Sequence, residues 1–66
     1  MKTFRVKRAT LASNPGSRGE LLQAVVFEDH GTRAIAAIGG EPLFELASLD
    51  EVLVAMKLTR DDVEER

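Results

Sequence analysis

The chain has 66 residues, 44% of them apolar, no cysteine, tryptophan or tyrosine, one histidine and a formal net charge of −2. That is enough for one small domain and excludes a disulfide framework, a thiol nucleophile and a Cys- or His-rich metal site. A domain this short buries only about 60% of its unfolded surface, so a further subunit or a well-idealised fold is the expected supplement to its core.

Thr3, Arg5 and Lys7 alternate with Phe4 and Val6, which predicts a first strand over residues 2–12 with one face buried. Ser13-Asn14-Pro15-Gly16-Ser17-Arg18-Gly19 is turn chemistry throughout. The run Glu20 to Glu28, apolar on both parities, reads as a second strand over residues 20–28. Asp29-His30-Gly31 reads as a short hairpin connection into a third strand over residues 32–38. Gly39-Gly40 has the composition of a two-residue hairpin loop, and residues 41–46 return as a fourth strand, with Pro42 indicating an edge.

The pattern then turns helical. Ser48-Leu49-Asp50-Glu51 is a capping box, and Leu49, Val52, Leu53 and Met56 fall on one stripe, predicting a helix over residues 49–57. Leu58 leaves that stripe and Thr59 offers a second cap, so a break and a short helical turn over residues 60–65 follow; one kinked helix is the alternative. The expected fold class is α+β: a three- to four-stranded antiparallel meander followed by a C-terminal helix packed on one sheet face.

Pairing these strands through their turns sets Val26 opposite Ala34, Ala24 opposite Ala36 and Leu22 opposite Ile38, with Ala36 also facing Leu43. Leu21, Val25, Phe27, Ile35, Phe44, Leu46, Phe4 and Val6 then form a bulky face under the helix. Leu22, Ala24, Val26, Ala34, Ala36, Ile38 and Leu43 form a flatter second face, which one helix cannot cover. Bare apolar faces mark interaction sites, so this set is the expected homodimer or partner interface.

Charge is unevenly spread. Residues 1–19 hold five basic side chains and no acid, whereas residues 41–66 hold eight acids against three basic residues. Arg5, Lys7, Arg8 and Arg18 are the candidate basic contact, suited to phosphates. The missing Trp and Tyr and a pI of about 5.3 argue against a stand-alone nucleic-acid binder. Asp50, Glu51, Asp61 and Asp62, with Val54 as an exposed anchor, are the candidate acidic contact.

Enzyme signals are weak: His30 and Asp29 share a turn, and Ser13, Ser17 and Ser48 are ordinary turn or cap residues. Gly16-Ser17-Arg18-Gly19 matches the GxxG with which KH domains clamp nucleic-acid backbone between two helices, but the predicted strands on either side do not fit that setting. No run suits a signal segment or approaches the ~20 apolar residues of a membrane span, so a cytoplasmic setting is expected.

The expected function is therefore a non-enzymatic, self-associating protein-interaction module that binds stoichiometrically, without cofactor, metal, small-molecule substrate or membrane partner. By analogy of size and fold class, a phage or mobile-element accessory protein inhibiting a host nucleic-acid-handling complex fits this description. A small nucleic-acid-binding protein using the basic first strand and a structural subunit of a homo-oligomer are the alternatives.

Overall fold

A computed structural model describes residues 1–66. In chain order it contains β1 (Lys2–Val6), α1 (Arg8–Ala12), α2 (Ser17–Ala24), β2 (Val25–Asp29), β3 (Ala34–Ile38), β4 (Glu41–Leu46), α3 (Leu49–Ala55), a 3-10 turn (Arg60–Asp62) and β5 (Val63–Glu65). The strands form one antiparallel sheet in the order β4-β3-β2-β1-β5. This corrects the expected three- to four-stranded meander with one C-terminal helix: the sheet has five strands, and helices both interrupt and flank it.

Two corrections lie in the first half of the chain. The first strand stops at Val6, because continued alternation would turn Arg8 inward, and the good helix formers Ala9, Leu11 and Ala12 follow. Asn14 Nδ2 donates to the Thr10 carbonyl at 2.8 Å and Ser13 Oγ to the Ala9 carbonyl at 3.1 Å, closing the end of α1. The run Glu20-Leu21-Leu22-Gln23-Ala24, expected as strand, belongs to α2. Each of those residues favours helix, and the β-branched and aromatic residues begin only at Val25-Val26-Phe27, where β2 starts.

The β2–β3 register differs by an odd number. Val26 was expected opposite Ala34 but lies opposite Ala37, a slip of three residues. A longer loop causes it: His30 N–H donates to the Arg33 carbonyl at 2.9 Å, and β3 starts at Ala34 instead of Thr32. An odd slip exchanges the two faces of a strand. Ala34 and Ala36 therefore share a face with Phe27 and Val25, and all four are fully buried. Gly39 and Gly40 both have positive φ, as a two-residue hairpin requires. The expected β3–β4 pairing holds next to that turn, with Ala37 opposite Pro42, and slips by one beyond an irregularity, so that Ala36 faces Phe44 rather than Leu43.

The core is one cluster on one side of the sheet. Leu22 of α2 and Leu49, Val52 and Leu53 of α3 pack over Val6, Val25, Phe27, Ala34 and Ala36, with Leu58 and Val63 completing it. Ser48 Oγ accepts from the Glu51 N–H at 3.2 Å, so α3 begins at the expected cap. It ends when Lys57 adopts φ 61° and the Leu58 N–H reaches back to the Leu53 carbonyl at 2.8 Å, which swings Leu58 into the core.

The expected helical turn over residues 60–65 ends at Asp62. Val63, β-branched and buried, pairs with Val6, and Arg66 N–H donates to the Thr3 carbonyl at 2.9 Å. The final residues are thus a strand beside β1, because Val63 is stabilised more by the core than by one further exposed helical turn. No helix is long and apolar enough to cross a membrane.

Candidate interaction surface

All buried helical side chains join one side of the sheet, so no helix covers its other side, where Ala37 is buried and Val26 and Ile35 are half-buried. By register that side carries Thr3, Arg5, Val26, Glu28, Ile35, Ala37, Glu45 and Glu64. Only Val26 comes from the expected interface. Leu22, Ala34 and Ala36 are core, Ile38 packs against the core, Ala24 lies exposed at the end of α2, and Leu43 is exposed in β4. The seven do not form one surface, because the expectation depended on Leu22 and Ala24 being strand and on an even register. The uncovered side is a mixed one, with Val26, Ile35 and Ala37 set among an Arg5–Glu64 pair at 3.1 Å and a His30–Glu28 contact at 3.0 Å.

The four basic residues do not form a stripe either. Arg5 and Arg8, with Val6, Leu11, Gln23 and Glu64, line a cleft of about 520 Å³, and the Glu64 carboxylate already occupies Arg5. Lys7 stands half-buried at the β1–α1 junction. Arg18 is committed elsewhere: its Nη2 donates at 2.7 Å to the Met56 carbonyl at the end of α3. This bond ties α2 to α3 and neutralises the negative end of the helix.

The GxxG segment does join two helices, contrary to the expected strands. Ser17, Arg18 and Gly19 form the first turn of α2 rather than an open loop. Gly19 is required by packing, since a Cβ there would stand 2.0 Å from the Asn14 carbonyl oxygen. The residues considered for catalysis are likewise occupied locally. His30 contacts Glu28, Asp29 accepts from the Gly31 N–H at 2.9 Å, Ser13 bonds Ala9 and Ser48 caps α3.

The acidic residues divide into two groups. Asp62 is structural: it accepts from the Thr59 N–H at 2.8 Å and from the Thr10 hydroxyl at 2.9 Å, tying the 3-10 turn to α1. The Thr59 N–H above all, then the Thr10 hydroxyl, hold its carboxyl below the ordinary aspartate range, with the Thr59 hydroxyl and the Lys7 charge adding to them and partial burial opposing. The unfolded chain therefore binds this proton more tightly than the folded one. The stability Asp62 contributes is complete above the ordinary aspartate range, near pH 4, and is lost as pH falls through the depressed folded value. Urea denaturation of Asp62→Asn at neutral pH and in acid is expected to show a lower stability at neutrality and a shallower acid limb than the wild type. Parallel acid limbs would remove Asp62 as their source.

Asp50 and Glu51 lie exposed on the first turn of α3, Asp50 paired with Arg60 Nε at 2.7 Å. Asp61 is exposed on the 3-10 turn. Beside Asp50 and Glu51, Val54 is 72% exposed, as its place off the buried stripe implies. Two adjoining depressions meet here. One is lined by Leu46, Asp50, Glu51, Val54 and Ala55, the other by Arg18, Leu21, Ala55, Met56 and Lys57, and Ala55 is common to both. Leu46 and Leu21, at 38% and 40% exposure, extend the apolar stretch at either end. The strand pairing expected from the sequence places Leu21 and Leu46 in the core, whereas both are exposed. The helix-forming run Glu20–Ala24 was the signal that separates Leu21, exposed, from Leu22, buried.

Comparison of the chain with protein-family models, curated proteins and solved structures returned no match.

Proposed function

We propose that the chain is a non-enzymatic protein-interaction module that binds stoichiometrically through the outer flank of α3. The observation that carries this reading is Val54, a β-branched apolar side chain 72% exposed, with the exposed leucines Leu21 and Leu46 on the same flank. Burying such a side chain on its own structure would be worth roughly 1.5–3 kcal/mol, a gain open here only to a partner. Asp50 and Glu51 on one side and Arg18 and Lys57 on the other give the stretch a charged rim around an apolar centre, the layout of a contact patch.

Val54→Asp tests the reading, because a residue so exposed can change without disturbing the core. Circular dichroism should show it folded, and proteins retained by the immobilised wild-type chain should be lost. Unchanged retention by a folded Val54→Asp chain would dispose of this surface.

A second reading, nucleic-acid binding, is favoured by the cleft between Arg5 and Arg8, since Arg8 enters no ion pair. Glu64 within the cleft counts against it. Phosphate-dominated binding would fall steeply with salt and would be abolished by Arg8→Glu.

A further inference from the structure

We propose that the occupant of the α3 flank is a second copy of this chain, related to the first by a two-fold axis passing near Val54 and Ala55; the proposal rests on the reading of that flank as a contact surface. The flank is self-complementary in charge. Its acid without an ion pair, Glu51, stands in the first turn of α3 beside Asp50, which Arg60 already holds. Its base without one, Lys57, stands just past the other end of the helix beside Arg18, which is bonded to the Met56 carbonyl. Lys57 lies six positions after Glu51 and just past the end of α3 at Ala55, about 9 Å along the helix direction.

A two-fold contact sets residue i of one copy against residue j of the other and j against i, and with the axis perpendicular to α3 the two helices lie antiparallel. The acidic end of each protomer then meets the basic end of its partner, at two symmetric places. Leu46 at one end of the apolar stretch meets Leu21 at the other, and the two Val54 side chains come together near the axis. Ala55, exposed and common to both depressions, lets the helices approach to about 8 Å, the close end of ordinary helix packing. A partner of a single charge sign would satisfy one end of this flank and be repelled at the other; an antiparallel copy satisfies both.

The sheet edges fit a second copy less well. The β4 edge carries Pro42 and a register irregularity, and β5 at the other edge is only three residues long with Glu64 and Glu65 exposed. Self-association through α3 leaves both edges free.

Sedimentation equilibrium on the full chain at sub-millimolar concentration tests the proposal. The wild type should approach twice the 7.2 kDa monomer mass, and Val54→Asp should sediment as monomer. Glu51→Lys and Lys57→Glu should each weaken association about ten-fold by placing like charges opposite one another twice. The double variant Glu51→Lys/Lys57→Glu should recover it, because the two-fold axis sets each reversed charge against the reversed charge of the partner. All the substituted residues are exposed, and circular dichroism verifies that each variant is folded. A wild type that stays monomeric, or a double variant weaker than either single one, overturns the proposal. If the monomeric wild type nevertheless retains foreign proteins that Val54→Asp loses, the contact surface stands and only its occupant is different. If retention is indifferent to Val54, both fail.

Discussion

Gly19→Ala should unfold the domain or come close to it. The added methyl would stand 2.0 Å from the Asn14 carbonyl oxygen and 3.2 Å from its carbon, both backbone atoms that cannot rotate away. Relief requires the α1–α2 turn to open. Opening it would shift Leu22 out of the core cluster and move Arg18 off the Met56 carbonyl. Close packing makes such a displacement costly, at least about 3 kcal/mol, against a total stability of roughly 3–10 kcal/mol for a chain this long. Alanine would ordinarily favour helix over glycine by about 1 kcal/mol, so the sign of the effect separates contact from propensity. Gly31→Ala is the control. It has open space around it and φ +87°, so its cost should be only the left-handed strain of about 1–2 kcal/mol. Urea melts that rank Gly31→Ala as the more damaging of the two would contradict the α1–α2 contact.

Phe27→Ala should be comparably severe for a different reason. Phe27 is the largest fully buried side chain and lies between Phe4 of β1 and Ala36 of β3, in the middle of the sheet under the helices. Its neighbours across β3 are alanines, which have no side-chain reach with which to fill the space left behind. The cavity therefore persists, and a loss of about 3–5 kcal/mol is expected, enough to lower the melting temperature by tens of degrees or abolish the transition. Ala36→Glu, which on the expected register would have tested an exposed interface, instead places a charge in this same core and should unfold the chain.

The second half of the chain was legible where local chemistry alone decides the structure. The two-glycine turn, the cap at Ser48 and the break before Leu58 are all where residue types place them, because each is set by a few neighbouring atoms. The first half was not legible because α1 has five residues and α2 eight, too short for apolar periodicity to emerge. Leu21-Leu22 beside Val25-Val26 looks like one apolar run, which masks the helical preference of Glu20–Ala24. The β2–β3 loop added an odd slip, which no composition signal forecasts, and exchanged the faces.

The candidate surface shows the same division. Val54 was recognisable because its exposure follows from one helix wheel, and Asp50 and Glu51 because they sit in a cap. Leu21, Leu46 and Ala55 become part of the flank only once α2 is a helix and β4 is seated beside α3. Asp62 left the acidic contact because Thr10, remote in sequence, donates to it.

The place of β1 between β2 and β5 has a consequence for assembly. Its partner Val63-Glu64-Glu65 is separated from it by almost the whole chain, with Arg5 bound to Glu64 across a sequence distance of 59 residues. During synthesis β1 can pair on one side as soon as β2 exists, but its other side waits for the last strand to emerge. Until then Val6 lacks Val63 opposite it, and the nascent sheet has an unguarded rim. Pairings of such long sequence separation form late, so the intermediate lacking β5 is the form most open to wrong pairing.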